Sequence, residues 1–284
     1  MRQFETVAGL REFIAGERRA ARRVGFVPTM GNLHAGHFSL IEEARRRADT
    51  VVASIFVNPT QFGAGEDFAR YPRTPELDAQ RLERNGCDAL FLPSFAELYP
   101  HGVDGDIRIH VPVLGEILEG ASRPGHFDAV ATIVAKLFLC VQPDLAVFGR
   151  KDYQQLLVVR QMVSDLLFPI EIIGAPTRRE PDGLAMSSRN QYLEARHRKK
   201  AAAIYASLKW IRSKLAEGHP NFGQIEAQAG KRLIDFGLEP DYVAIRRRRD
   251  LHMPEQEMNG DLVALIAARI GGVRLIDNLD LESQ

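Results

Sequence analysis

Two histidines three residues apart, His34 and His37, stand in PTMGNLHAGHFSL (Pro28 to Leu40), bracketed by Gly31 and Gly36. Imidazoles can donate hydrogen bonds to charge developing on a phosphoryl group, and protonation near neutral pH strengthens them as donors. The apolar run VGFVPT (Val24 to Thr29) reads as a strand, and from His37 onward Leu40, Ile41, Ala44 and Ala48 keep one face of a helix. A strand, a glycine-bearing turn and a helix start in succession predict free backbone N–H groups and the positive end of a helix dipole at the turn. Phosphate oxygens suit such a place.

Four further stretches carry chemistry-bearing residues: FVNPTQF (Phe56 to Phe62), RPGHFDAV (Arg123 to Val130), FGRKDYQQL (Phe148 to Leu156) and AMSSRN (Ala185 to Asn190). The HAGH sequence resembles the HxGH signature of a nucleotidyltransferase superfamily that includes class I aminoacyl-tRNA synthetases. The five motifs, in this order and spacing over the first two thirds of the chain, resemble the pantothenate synthetase family. The resemblance implies ATP-dependent condensation of pantoate with β-alanine to pantothenate, through pantoyl adenylate, with release of AMP and pyrophosphate. It also implies Mg²⁺, a homodimer and a cytoplasmic enzyme of coenzyme A biosynthesis.

By the same resemblance His37, His34 and Lys151 are catalytic. Met30, Gly31, His34, His37, Gly149, Lys151, Asp152, Met186, Ser187, Ser188 and Arg189 bind ATP. Gln61, Gln155, Asn58, Arg123 and His126 face pantoate or β-alanine. The residue types agree. Lys151 is a point charge fit to neutralise phosphate oxygens, and Gly149 can let backbone approach a ligand or simply turn the chain. Asp152 can cap the helix that starts near Tyr153, or accept from a ribose hydroxyl or a lysine. The neutral amides of Gln61 and Gln155 can hold a hydroxy-acid whose carboxylate must stay nucleophilic. Tyr71 belongs to packing more than to binding. No residue set is assigned to the metal; Asp78 is named as one candidate ligand. One departure stands out: the family carries an acidic residue where this chain has Arg150, an added charge beside Lys151.

The elements that must position these groups alternate along the chain. Apolar runs at Val51 to Val57, Cys87 to Pro93, Asp144 to Gly149 and Ile170 to Thr177 read as strands. Helical patterns cover Pro75 to Asn85, Asp128 to Val141 and Tyr153 to Phe168. Near-continuous apolar strands separated by helices predict an α/β, Rossmann-like, doubly wound parallel sheet. Ligands of such sheets sit beyond the strands' carboxyl ends, where three of the motifs fall. APTRREPDG breaks the pattern, so the chain is divided into a Rossmann-like ATP- and pantoate-binding domain, 1–177, and a smaller α+β C-terminal lid domain, 178–284. In the latter, helices over Glu194 to Glu217 and Phe222 to Phe236 precede strands near Asp241 to Ile245, Leu262 to Arg269 and Val273 to Asp277. MSSRN follows the hinge, placed to close over triphosphate.

Composition narrows the field. The 284 residues carry 37 Lys+Arg and 37 Asp+Glu, so no global field favours nucleic acid or an anionic membrane. Cys87 and Cys140 lie in apolar contexts without a CxxC, as buried reduced thiols do in a reducing cytoplasm. No stretch reaches the roughly 18 apolar residues of a membrane span. The Arg-rich segment Arg11 to Arg23 reads as a solvated first helix with Leu10, Phe13 and Ile14 on its inner face. Arg246 to Arg249 reads as a solvated strand end. Two alternatives remain open at this point: a nucleotidyltransferase that leaves the adenylyl group on its product, such as a phosphopantetheine or nicotinamide-mononucleotide adenylyltransferase, and a catalytically silent nucleotide-binding module.

Overall fold

The computed structural model of the chain describes residues 1–63, 65–218, 221–255 and 260–281. The last three residues of the expected 178–284 domain lie outside them. Two compact units form: Met1–Arg150 with Val158–Pro176, and Lys151–Leu157 with Thr177–Gln284. Lys151–Leu157 therefore belongs with the second unit although its neighbours in sequence belong to the first.

The first unit is built on six parallel strands: β1 (Arg2–Phe4), β2 (Val24–Thr29), β3 (Thr50–Ile55), β4 (Ala89–Phe91), β5 (Leu145–Gly149) and β6 (Glu171–Ala175), in the order β1-β4-β3-β2-β5-β6. Burial of Val24–Val27 in β2, Thr50–Ser54 in β3 and all of β4 matches their apolar runs, as expected of strands covered on both faces. The strand order reverses between β2 and β5, which puts the topological switch point beside the turn after β2 and the end of β5. The helix Ala35–Arg45 packs close against the sheet. At Gly25 in β2 a Cβ would come within 3.0 Å of the Ala48 Cβ just past that helix, 3.2 Å of the Leu145 side chain and 3.4 Å of the Ala44 Cβ, so the glycine keeps this crowded position open. The helix Val7–Arg19 buries Leu10 and Ile14.

The second unit carries an antiparallel sheet of β7 (Glu239–Arg247), β8 (Leu262–Ile270) and β9 (Val273–Asp280) in that order. The helices Ala203–Ala216 and Phe222–Asp235 cover it, burying Ile204, Leu208, Ile211, Ile225 and Leu233 in one core with Ala264 and Ile266. The helical stretch expected over Glu194 to Glu217 holds the two helices Ala195–Ala201 and Ala203–Ala216. Arg246 to Arg249 each face a carboxylate: Glu226 (2.8 Å), Asp250 (2.7 Å), Asp280 (3.6 Å) and Asp250 again (3.6 Å). Cys87 and Cys140 are free and buried, and burial pushes their thiols up to about 12 and about 11. No helix among the described residues is long and apolar enough to cross a membrane.

Candidate active site

The turn after β2 is held by the helix Pro75–Arg84. Gly31 and Asn32 both take positive φ (82° and 50°), and a Cβ on Gly31 would come within 3.0 Å of the Ile55 side chain and 3.2 Å of Asp78 Oδ2. Asp78, fully buried, accepts from the backbone N–H of Asn32 (2.7 Å) and of Leu33 (2.8 Å) and from the Thr74 hydroxyl (3.1 Å). One turn along, Arg81 donates to the Leu33 carbonyl (3.1 Å). The Gly31 N–H donates to Thr29 Oγ1 (3.2 Å). These amides, expected to await phosphate, bond protein atoms instead: a carboxylate 46 and 45 residues away takes those of Asn32 and Leu33, and the nearby Thr29 hydroxyl takes that of Gly31. Both Asp78 oxygens are thereby engaged with the turn, which fits an anchor and not a metal ligand.

The histidines complete the helix start. Gly36 N–H donates to His34 Nδ1 (3.1 Å) and His34 N–H to His37 Nδ1 (3.3 Å), with the ring centroids 4.1 Å apart. Each Nδ1 is an acceptor, so each ring carries its proton on Nε2. Each neutral ring can therefore donate through Nε2, as expected of an imidazole in this turn.

After β3, Asn58 is fully buried. Its Oδ1 accepts from the Thr60 hydroxyl (3.0 Å) and the Tyr99 hydroxyl (3.0 Å), while its Nδ2 is buried with no hydrogen-bond partner in the protein. The neighbouring Gln61 is half-buried, and its carbonyl oxygen accepts from Arg123 Nη2 (3.0 Å) and His126 Nδ1 (2.9 Å). Arg123 Nη1 lies 2.9 Å from His126 Nε2. A guanidinium only donates, so Nε2 accepts, Nδ1 carries the hydrogen, and the ring is neutral. Burial, then the Arg123 charge, pushes His126 down to about 4. Arg123 also forks onto Glu66 (2.7 and 2.6 Å). Burial pushes the Glu66 carboxyl up, and the Arg123 hydrogen bond and charge more than offset it, leaving the group below the usual range. Arg123 and His126, expected to wall the acid pocket, thus meet through the Gln61 carbonyl. Tyr71 is buried edge-on to Phe62 (5.7 Å). A Cβ on Gly149, at the end of β5, would meet no protein atom within 4 Å. Arg150 Nε donates to the Gly174 carbonyl (3.0 Å).

In the second unit, Lys151 Nζ lies 3.4 Å from Asp152 Oδ1, and the Lys151 carbonyl accepts from Asn278 Nδ2 (2.8 Å). Gln155 is half-buried, and Gln154 beside it is buried. Ser187 caps the 3-10 turn Ser188–Tyr192, its Oγ accepting from Arg189 N–H (3.2 Å), and the Met186 N–H donates to the Arg178 carbonyl (2.9 Å).

The model of the pantoate-beta-alanine ligase family matches residues 2–280. The chain belongs to that family. It is 57% identical over 277 residues to the pantothenate synthetase of Stenotrophomonas maltophilia, with 98% of each chain covered, and 54% identical over 282 residues to that of Ectopseudomonas mendocina, with 99% of each covered. The crystal structure of the Thermus thermophilus pantothenate synthetase superposes with a TM-score of 0.92 at 47% identity over 100% of both chains. The ligase from Francisella tularensis, solved in complex with β,γ-ATP and β-alanine, gives a TM-score of 0.82 at 34% identity over 100% of this chain and 99% of that one. The chain is accordingly an ATP-dependent ligase. Not foreseen were the residues that hold the candidates in place within each unit: Asp78 as turn anchor, Arg81 and Glu66 in the first, and Asn278 in the second. All act across long sequence separations, and only the position of Asp78 and Arg81 three residues apart on one predicted helix face hinted at a shared target.

Proposed function

We propose that the ligase joins pantoate to β-alanine in two steps, with the paired Nε2–H donors of His34 and His37 at the turn after β2 as the observation that carries the chemistry. In the first step a pantoate carboxylate oxygen attacks the α-phosphorus of ATP; the new P–O bond forms as the bond to the β-phosphate oxygen breaks and pyrophosphate leaves. Negative charge grows on the triphosphate, and the His34 and His37 donors, Lys151, and Ser187, Ser188 and Arg189 offset it. Donors fixed by backbone bonds need no reorganisation as that charge grows. In the second step the β-alanine amine attacks the acyl carbon, the acyl C–O bond breaks, AMP leaves with the oxygen, and the amine proton passes to solvent. No covalent enzyme intermediate is required, and holding amine and anhydride together supplies on the order of 7 to 11 kcal/mol of the barrier.

Met30, Gly31, Gly149, Asp152 and Met186 are assigned to ATP. The empty space around Gly149 supports close approach of a ligand there, since no protein atom demands the glycine. Gln61, Gln155 and Asn58 are assigned to pantoate. The unpartnered Nδ2 of Asn58 supports this, because a buried donor left unpaired costs about 1 to 3 kcal/mol unless a ligand accepts from it. Arg123 and His126 act on this view by holding Gln61. Mg²⁺ is assigned to the triphosphate of ATP as part of that substrate. A cytoplasmic homodimer is proposed on the family resemblance. Exchange of labelled pyrophosphate into ATP tests the first step: it is expected with pantoate and without β-alanine, and exchange that ignores pantoate, or none, contradicts it.

A further inference from the structure

Three distant stretches of the second unit meet at one ion pair. Arg179 forks onto Asp277 in β9, Nη1 to Oδ2 at 2.6 Å and Nη2 to Oδ1 at 3.0 Å, with side chains 17% and 3% exposed. The same guanidinium donates to the carbonyls of Gly183 (3.1 Å) and Asn278 (3.3 Å) and lies 3.7 Å from the Tyr205 ring centroid. Each terminal nitrogen of the guanidinium therefore has two acceptors. Asn278 N–H donates to Asp277 Oδ1 (2.8 Å), and its side chain Nδ2 reaches the Lys151 carbonyl at 2.8 Å. On the other side Arg179 bridges to Ala185, and Met186 N–H bonds the Arg178 carbonyl, so the strand-like pair 178–186 leads directly into Ser187, Ser188 and Arg189.

A buried ion pair adds little net stability, because desolvation offsets most of its attraction. Its consequence here is geometric: both the turn that presents Lys151 and the loop that presents Met186–Arg189 are tied to the same few atoms of β9. We propose that Arg179, Asp277 and Asn278 are positioning residues that set Lys151 and the Met186–Arg189 loop in mutual register for the adenylation step. This rests on the assignment of Lys151 to the triphosphate made above.

The test is a double-mutant cycle on pantoate-dependent pyrophosphate exchange, using the full chain. Asn278→Ala removes the bond to the Lys151 carbonyl without touching the ion pair's charges, and a displacement below 1 Å is expected to slow exchange about tenfold, with pantoate KM unchanged. In a Lys151→Ala background the same Asn278→Ala change is expected to cost less than about twofold, since no ammonium remains to be positioned. Arg179→Lys, which keeps the charge and loses the fork, is expected to slow exchange by a similar factor with pantoate KM again unchanged. Equal fold losses from Asn278→Ala in both backgrounds, or unaltered exchange in both single variants, overturn the proposal while leaving the assignment of Lys151 intact. Unaltered exchange in Lys151→Ala alone overturns that assignment, and the positioning role with it.

Discussion

Replacing Asp78 by alanine removes the carboxylate that accepts from Asn32 N–H, Leu33 N–H and the Thr74 hydroxyl. Leu33 is only 2% exposed, so its amide finds no water, whereas half-buried Asn32 recovers part of its loss from solvent. An orphaned buried donor costs about 1 to 3 kcal/mol, so the two amides together set an expected loss of about 2 to 4 kcal/mol. The left-handed backbone of Gly31 and Asn32 loses its restraint at the same time. Asp78→Asn keeps one carbonyl acceptor and turns an N–H donor toward the other amide, so about half that loss is expected. His34 directly follows Leu33, and a shift of about 1 Å at a catalytic group can cost on the order of 10² in rate. Urea unfolding and single-turnover adenylation are the two assays. An Asp78→Ala protein as stable as wild type refutes the anchoring argument, and a stable variant with an altered Mg²⁺ requirement makes Asp78 a metal ligand after all.

His37→Ala is expected to lower adenylate formation by about 10² to 10³ with ATP binding far less affected, as for loss of one transition-state donor; an unchanged single-turnover rate leaves His37 a helix cap. With Gln155 facing pantoate as proposed, Gln155→Glu sets a second negative charge beside the pantoate carboxylate, and two like charges about 4 Å apart at an effective dielectric of about 20 repel by roughly 4 kcal/mol before solvent reduces it. A ten- to several-hundredfold weaker pantoate affinity is expected by titration at fixed ATP, Gln155→Asn being milder, and equal affinity for glutamine and glutamate moves the residue out of the pocket. His126 is neutral in the fold down to about 4 but takes a proton below its ordinary 6.5 when unfolded. The unfolded chain then binds the extra proton, so stability is full above pH 6.5 and falls by up to about 3 kcal/mol as the pH drops toward 4. His126→Gln is expected to remove that part of the pH dependence in urea titrations, and an identical slope in both proteins counts against the buried neutral ring.

The parallel sheet was legible because its strands are uninterrupted apolar runs. Val24–Thr29 matches its expected bounds, β5 differs from its own by one residue at the start, and β3 and β6 differ by one or two residues at each end. β1 was not foreseen: three residues, Arg2–Phe4, carry no period, and only pairing with β4 makes them a strand. The paired histidines stand out as candidates by residue type and spacing, and Lys151 as a candidate through the family resemblance of its motif. The tautomer of each histidine could not be read in that way, since it depends on which backbone amide reaches Nδ1. Nor could the engagement of Arg123 and His126 with the Gln61 carbonyl, 62 and 65 residues away. Local patterns register what a segment can form, and long-range hydrogen bonds decide what its polar atoms then do.

The route of one oxygen atom tests the central claim most directly. Pantoate labelled with ¹⁸O in its carboxylate is turned over with ATP and β-alanine, and the AMP is analysed by mass spectrometry. Attack of the carboxylate on the α-phosphorus followed by acyl C–O cleavage requires one ¹⁸O in the phosphate of AMP and the other in the amide carbonyl of pantothenate. Unlabelled AMP, or an adenylyl group retained on the product, contradicts the two-step account.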